Sequence, residues 1–393
     1  MKILVAPNAY KGTITARVVS EAISVGISHV IPEAEIVVLP VCDGGDGALD
    51  TFLDIVGGFR RSSSVCGPLG NKVIAEWGII NDGKTAFIET ARAFGLALVP
   101  GHKCDPTKTT SRGVGELILS ALDLGIRDFV IAVGGSANND GGMGLLRALG
   151  FRFLDASGND LPEGGVALKK LASIETSGKD ERLKDSEFLI LSDSTVPLTG
   201  KEGVSIMYSP GKGATPEDAL ELDEALSKYA DVIEEAFGRS MHDSPCGGAG
   251  GGVVCATEVF LESSISLGID AALEALNFND ALEGADLVVT GEGQIDEQTV
   301  FNKAPIGVAK RAKESKIPVI ALCPLVGEGF EIVYEHGINC VVAIASTDGW
   351  TEPGTVVTEE VITTCVIDLF SQLKDSGSLE SMHLSRRYQS RRL

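Results

Sequence analysis

The feature that most constrains this chain is a repeated strand–loop–helix pattern, in which short runs of branched apolar residues end in polar, glycine-rich turns. K-I-L-V-A at 2–6 is followed by the turn A-P-N-A-Y-K-G at 6–12. Val18, Val19, Ala22, Ile23, Ile27 and Val30 then recur at helical spacing, and E-I-V-V-L-P at 35–40 supplies the next strand. This is a βαβ unit of ordinary length. Similar strand signals recur at 85–89, 128–133, 187–192, 285–289, 317–322 and 339–343, with a helical stretch over 306–313. Runs that are apolar throughout belong to strands buried on both faces of a parallel sheet. The expected core is an α/β, Rossmann-like doubly wound sheet, whose ligand-binding loops lie at the carboxyl ends of the strands.

A chain of 393 residues exceeds what one hydrophobic core usually organises, so two domains are expected. Residues 1–65 and 282–375 are assigned to the Rossmann-like domain, with 111–150 as an alternative addition. Residues 66–281 carry shorter, more polar and alternating segments, read as an inserted α/β domain with a mixed sheet. From 376 to 393 apolar periodicity is lost and four arginines appear, which predicts a disordered basic tail.

Lys and Arg number 33 against 55 Asp and Glu, a formal net charge of -22. So acidic a chain has no general attraction for nucleic acid or an anionic membrane surface, and neither is expected as a partner. Eight cysteines without a C-x-x-C pair predict reduced thiols and a cytoplasmic protein. The five histidines show no zinc-ligand spacing, and no apolar run is long enough to span a bilayer.

Six segments carry candidate chemistry. Lys11 lies in the loop after the first strand, where anions bind near helix N–H groups. Asp43 and Asp46, in C-D-G-G-D-G at 42–47, suit metal or substrate hydroxyls, or else cap the next helix. The richest segment is V-G-G-S-A-N-N-D-G-G-M-G at 133–144, in which Gly134, Gly135, Ser136, Asn138, Asn139 and Asp140 make an anion cradle in composition. It matches neither the dinucleotide fingerprint nor the Walker loop, which argues against a nicotinamide-dependent dehydrogenase. Asp193, at the end of the run 187–192, is placed to accept a hydroxyl proton, to bind metal, or to cap a helix. C-G-G-A-G-G-G at 246–252 allows close backbone approach. The last segment, D-L-V-V-T-G-E-G-Q-I-D at 286–296, presents Gly291, Glu292, Gly293 and Asp296 at another strand end. An anionic ligand on so acidic a protein needs local N–H groups, lysines and metal ions.

In this order the segments resemble the two-domain bacterial glycerate kinases, the glycerate 2-kinase family. The resemblance runs from Met1 to about Leu373. Its most specific pieces are G-G-S-A-N-N-D-G-G, G-K-G-A-T-P-E at 211–217, and T-G-E-G-Q-I-D-E-Q-T through K-A-P-I-G-V-A. It implies ATP- and Mg²⁺-dependent phosphorylation of D-glycerate, usually at carbon 2, in a cleft between a Rossmann-like and an inserted domain. On this reading catalytic roles are expected of Asp193, Lys11 and Asp296, with Asp43, Asp193 or Glu292 as candidate Mg²⁺ ligands. A homodimer is left open. The chain departs from the family pattern at Asn8, Ala9 and Tyr10, at Val196, at Gln294 in place of Arg, and at Cys323, Pro324 and Leu325. Those departures leave two alternatives: a catalytically impaired glycerate- or nucleotide-binding relative, or a kinase for another small hydroxy acid.

Overall fold

The computed structural model describes residues 1–10, 14–42, 45, 47–192, 194–301, 303–344, 357–377, 379 and 387–389. The chain divides into two compact units, residues 1–43 with 269–393, and residues 44–268.

The first unit is built on a parallel sheet in the spatial order Arg387–Gln389, Cys340–Ala343, Val319–Cys323, Leu287–Gly291, Lys2–Val5, Glu35–Val38. The N-terminal strand lies between its sequence neighbour and Leu287–Gly291, so the winding direction reverses there. Such a switch point opens a crevice at the carboxyl ends of the two central strands. Ile3, Val5, Leu287, Val289, Ile320 and Leu322 form one buried face under the helices Ala16–Val30 and Glu359–Asp375. These helices pack tightly because Gly26 has no side chain; a Cβ there would stand 2.7 Å from Val366. Helix Ala304–Glu314 packs on Leu287–Gly291 and Val319–Cys323, outside that cluster, and so covers the other face. The unit is therefore doubly wound.

The second unit has a six-stranded mixed sheet, in the order Ser264–Leu267, Glu187–Ser192, Asp128–Val133, Thr85–Glu89, Lys72–Ile80, Phe59–Cys66. The first four strands are parallel and the last two antiparallel. Helices Arg112–Asp123, Met143–Ala148, Pro216–Phe237 and Ala249–Phe260 contribute to one continuous core. The longest of them, Pro216–Phe237, begins at a capping box in which Thr215 and Asp218 satisfy each other's backbone N–H.

The observed division differs from the expected one at both boundaries. Residues 44–65 belong to the second unit because Phe59–Cys66 pairs antiparallel with Lys72–Ile80. Residues 111–150 lie in the second unit and not, as in the alternative, in the first, because the strand Asp128–Val133 sits between Thr85–Glu89 and Glu187–Ser192. The chain returns to the first unit at Ile269, ahead of the expected 282. In the C-terminal stretch read as a tail, Arg387–Gln389 forms a short strand beside Cys340–Ala343.

Candidate active site

In the second unit the carboxyl end of Asp128–Val133 leads into Gly134–Asp140. Here Gly135, at φ +59°, and Gly141 and Gly142, at φ +66° and +75°, turn the backbone where a side chain would be strained. Asp140 organises the turn. Its Oδ2 accepts hydrogen bonds from Ser111 N–H at 2.8 Å, Ser111 Oγ at 2.8 Å and Gly144 N–H at 3.2 Å. Its Oδ1 accepts from Asn138 Nδ2 at 2.8 Å and Gly142 N–H at 3.1 Å. Burial lifts the Asp140 carboxyl above its ordinary range, while the Ser111 and Asn138 donors pull it down. With five donors converging, the geometry is that of an ionised acceptor at the start of two helices. Asn139 is fully buried and donates to Ser205 Oγ at 2.9 Å. Asp140 and Asn139 are thus scaffold, Gly134 is buried, and Gly135 and Ser136 form the outer part of the turn.

The glycine run 246–252 is the other wall of this scaffold. Gly141 N–H donates to Gly251 O at 2.9 Å, and Asn138 Nδ2 to Gly250 O at 3.0 Å. A Cβ on Gly251 would lie 2.3 Å from Asn138 O, so the run is there for backbone contact.

A cation reaches this loop. Lys212, only 7% exposed, donates from Nζ to Ser136 Oγ at 3.0 Å and to Asn138 O at 2.7 Å. Sequence reasoning had not placed Lys212 in the site, and its only signal was the motif G-K-G-A-T-P-E. On a neighbouring strand end, buried Glu89 accepts from Gly47 N–H at 3.1 Å and Leu49 N–H at 2.9 Å, fixing the start of helix Ala48–Val56. That helix follows the loop of Asp43 and Asp46, and both aspartates lie outside the described residues. Asp193 also lies outside them; its neighbours Ser192 and Ser194 are joined by Ser192 Oγ donating to Ser194 O at 2.6 Å.

In the first unit the switch-point crevice is edged by the loops after Lys2–Val5 and Leu287–Gly291. These are stitched by Asn8 N–H to Gly291 O at 2.8 Å and Thr290 Oγ1 to Ala6 O at 2.8 Å. Asn8 is 2% exposed, and its Nδ2 has no hydrogen-bond partner among the described residues. Gly291 permits the close approach of strands, since a Cβ there would be 2.1 Å from Leu322 O. Glu292 follows at once and is buried, near enough to add to the burial that raises the Cys323 thiol. After Gly293 the chain pairs Gln294–Ile295 with Leu325–Val326. Asp296 caps the turn Glu297–Val300, accepting from Gln298 N–H at 2.8 Å and from Gln294 Nε2 at 2.7 Å. Tyr10 and Ile14 exchange backbone hydrogen bonds on either side of Lys11, which lies outside the described residues. Thus Gly134, Gly135, Ser136, Asn138, Asn139 and Asp140 are gathered in the second unit, and Gly291, Glu292, Gly293 and Asp296 in the first.

The glycerate kinase family model matches residues 3–373, nearly the whole chain. The chain belongs to the glycerate kinase family. It is 44% identical over 349 residues to the glycerate 2-kinase of Escherichia coli strain K12, covering 89% of this chain and 92% of that protein. It is 43% identical over 360 residues to the glycerate kinase of Bacillus subtilis strain 168, covering 92% of each. The crystal structure of a "putative glycerate kinase 2" from Salmonella typhimurium LT2 superposes with a TM-score of 0.79 at 40% identity. It covers 96% of this chain and 99% of that one.

Within this glycerate kinase fold, three departures from the family pattern have local explanations. Tyr10 is a core residue, 1% exposed, with its hydroxyl donating to Leu322 O at 3.3 Å. Val196 is packed in the core of the second unit, its carbonyl accepting from Gly248 N–H. Gln294 serves Asp296. Among the described residues no three His, Cys, Asp or Glu side chains gather as a metal site, all cysteines are free thiols, and no helix is long and apolar enough to cross a membrane.

Proposed function

We propose that this chain transfers the γ-phosphoryl group of ATP to D-glycerate at the carbon-2 hydroxyl, giving 2-phosphoglycerate. The observation that carries the reading is the rigid, glycine-rich turn Gly134–Asp140 at a parallel strand end, anchored from beneath by Asp140, in a chain of this family. Phosphoryl transfer demands positioning and charge neutralisation more than covalent help, and preformed N–H groups supply both. In this reading Gly134, Gly135 and Ser136 face anionic oxygens, Lys11 adds a positive charge, and Asp193 orients the attacking hydroxyl and takes its proton. Asp43 and Asp46 bind substrate hydroxyls or metal. Asn8 Nδ2, buried without a partner, is suited to a ligand oxygen beside Gly291 and Glu292.

The donor chemistry fits Mg²⁺. That ion takes one or two carboxylates and keeps water and phosphate oxygens as its other ligands, so a cluster of three side chains is not required. Asp43, Asp193 or Glu292 are the candidates to hold it, and when bound it would neutralise charge on the phosphate oxygens. Asp296 keeps the loop after Glu292 in place. The free thiols support a cytoplasmic location. The burial of Tyr10 and Val196 favours a working enzyme over an impaired relative, because these changes are absorbed by packing.

The test is ADP release by purified protein with Mg²⁺ across a panel of hydroxy acids and nucleoside triphosphates. Selective release with ATP and D-glycerate supports the reading. Selective release with another acid moves the substrate, and binding without turnover identifies a sensor.

A further inference from the structure

Lys212 lies outside the residue roles proposed above, and its surroundings are unusual for a lysine. It sits at the end of the turn Pro210–Lys212, is 7% exposed, and sends its ammonium to Ser136 Oγ and Asn138 O on the Gly134–Asp140 turn. Lysine is rarely buried to this extent.

Its placement is prepared by the backbone. Lys212 N–H donates to Ser209 O at 2.9 Å and Ala214 N–H to the same oxygen at 3.1 Å, closing the turn. Gly213, at φ +98°, presses against Cys104 so closely that a Cβ would lie 2.4 Å from Cys104 O. The helix Val204–Tyr208 just before the turn is tied to the same loop through Asn139 and Ser205. The ammonium is therefore held on a rigid support at the turn that the proposed function assigns to anionic oxygens, where a preorganised cation is most effective.

We propose that Lys212 Nζ contacts an oxyanion of the bound reactants at the Gly134–Asp140 turn, either a phosphate oxygen of the nucleotide or the carboxylate of the hydroxy acid. It is then a catalytic residue for the reaction proposed above, on which this inference rests, and more than a pin for the loop.

The experiment uses the full chain with Lys212→Met, which keeps the length of the side chain and removes its charge. Apo melting and circular dichroism establish folding. Then kcat and KM for ATP and D-glycerate are measured, with the melting shifts produced separately by ATP, D-glycerate and inorganic phosphate. Loss of one oxyanion donor lowers kcat/KM about 10²-fold. The melting shift given by the anion that Lys212 meets disappears: ATP and phosphate together if it is a phosphate oxygen, D-glycerate if it is the carboxylate. A folded Lys212→Met protein with wild-type kinetics and unchanged shifts overturns the proposal. So does a variant that melts lower but keeps every ligand shift, since that is the signature of a loop pin.

If the methionine variant does not fold, Lys212→Arg keeps the charge but moves it. The proposal then requires a change of about tenfold or more in KM for one substrate, and unchanged values for both overturn it. Wild-type protein is assayed first. If it shows no turnover, the functional reading fails by itself, and the melting shifts still decide Lys212. A wild type stabilised by none of the three anions overturns the oxyanion contact.

Discussion

Replacing Asp140 by Asn isolates the electrostatics of the Gly134–Asp140 turn, because the side chain keeps its shape. The carboxylate accepts five hydrogen bonds, two at Oδ1 and three at Oδ2. An amide keeps only one acceptor. In its better orientation the new NH₂ faces Asn138 Nδ2 and the Gly142 N–H, so two donor contacts are lost and the other three lose their charge. Each buried donor left unpaired costs about 1–3 kcal/mol, giving roughly 2–6 kcal/mol in all. For a domain of this size, about 2–4 °C of melting temperature is lost per kcal/mol, so the drop should be on the order of 5–20 °C. Calorimetry measures it, and amide exchange at Ser111, Gly142 and Gly144 should accelerate with it. The opposing effect is also explicit: burial lifts this carboxyl, so a neutral side chain relieves a desolvation cost. A variant melting at or above the wild-type temperature would mean that this relief dominates and that the five donors do not hold an anion.

Further outcomes follow from other positions. Gly251→Ala places a Cβ 2.3 Å from Asn138 O at φ +69° and should destabilise by more than the roughly 1–2 kcal/mol of left-handed strain. Gly200→Ala, at φ +93° with open space around it, should lose only that strain, and equal melting losses would contradict the packing argument. The Asp218 carboxyl is held below its ordinary range by the Thr215 backbone N–H first and the Thr215 hydroxyl next. A depressed acid stabilises fully above its unfolded pKa of about 4 and loses that contribution as pH falls through the folded value. The melting gap between wild type and Asp218→Asn should therefore shrink on acidification below about pH 4, and a constant gap would refute it. Asp193→Asn should cut kcat by about 10²-fold or more with the fold intact, as judged by circular dichroism, and a folded variant with full turnover would remove Asp193 from the proton-accepting role.

Much of the fold was legible because its central strands are branched, apolar and short. E-I-V-V at 35–38, D-F-V-I-A-V at 128–133 and E-F-L-I-L-S at 187–192 form strands over the runs that signal them. Their grouping into sheets was less legible, since Asp128–Val133 and Glu187–Ser192 look as buried as the strands of the first unit. The boundary near 44 depends on Phe59–Cys66, a polar edge strand whose partner is revealed only by pairing. The site showed the same limit. Glycine density marked Gly134–Asp140, but nothing local distinguishes an aspartate that meets a ligand from Asp140, which accepts donors from Ser111 and Gly144. Lys212 stands 76 residues from Ser136 in the chain, and only folding brings its ammonium there. Val196 reads as lost chemistry because burial is not written in a motif.

The most direct test of the central claim is phosphorus NMR of the product formed by purified protein from ATP, Mg²⁺ and D-glycerate. A phosphomonoester coupled to the carbon-2 proton, appearing in step with ADP, is the predicted result. Inorganic phosphate alone, or no loss of ATP, would contradict phosphoryl transfer to glycerate, and a signal coupled to the carbon-3 protons would contradict the assigned hydroxyl.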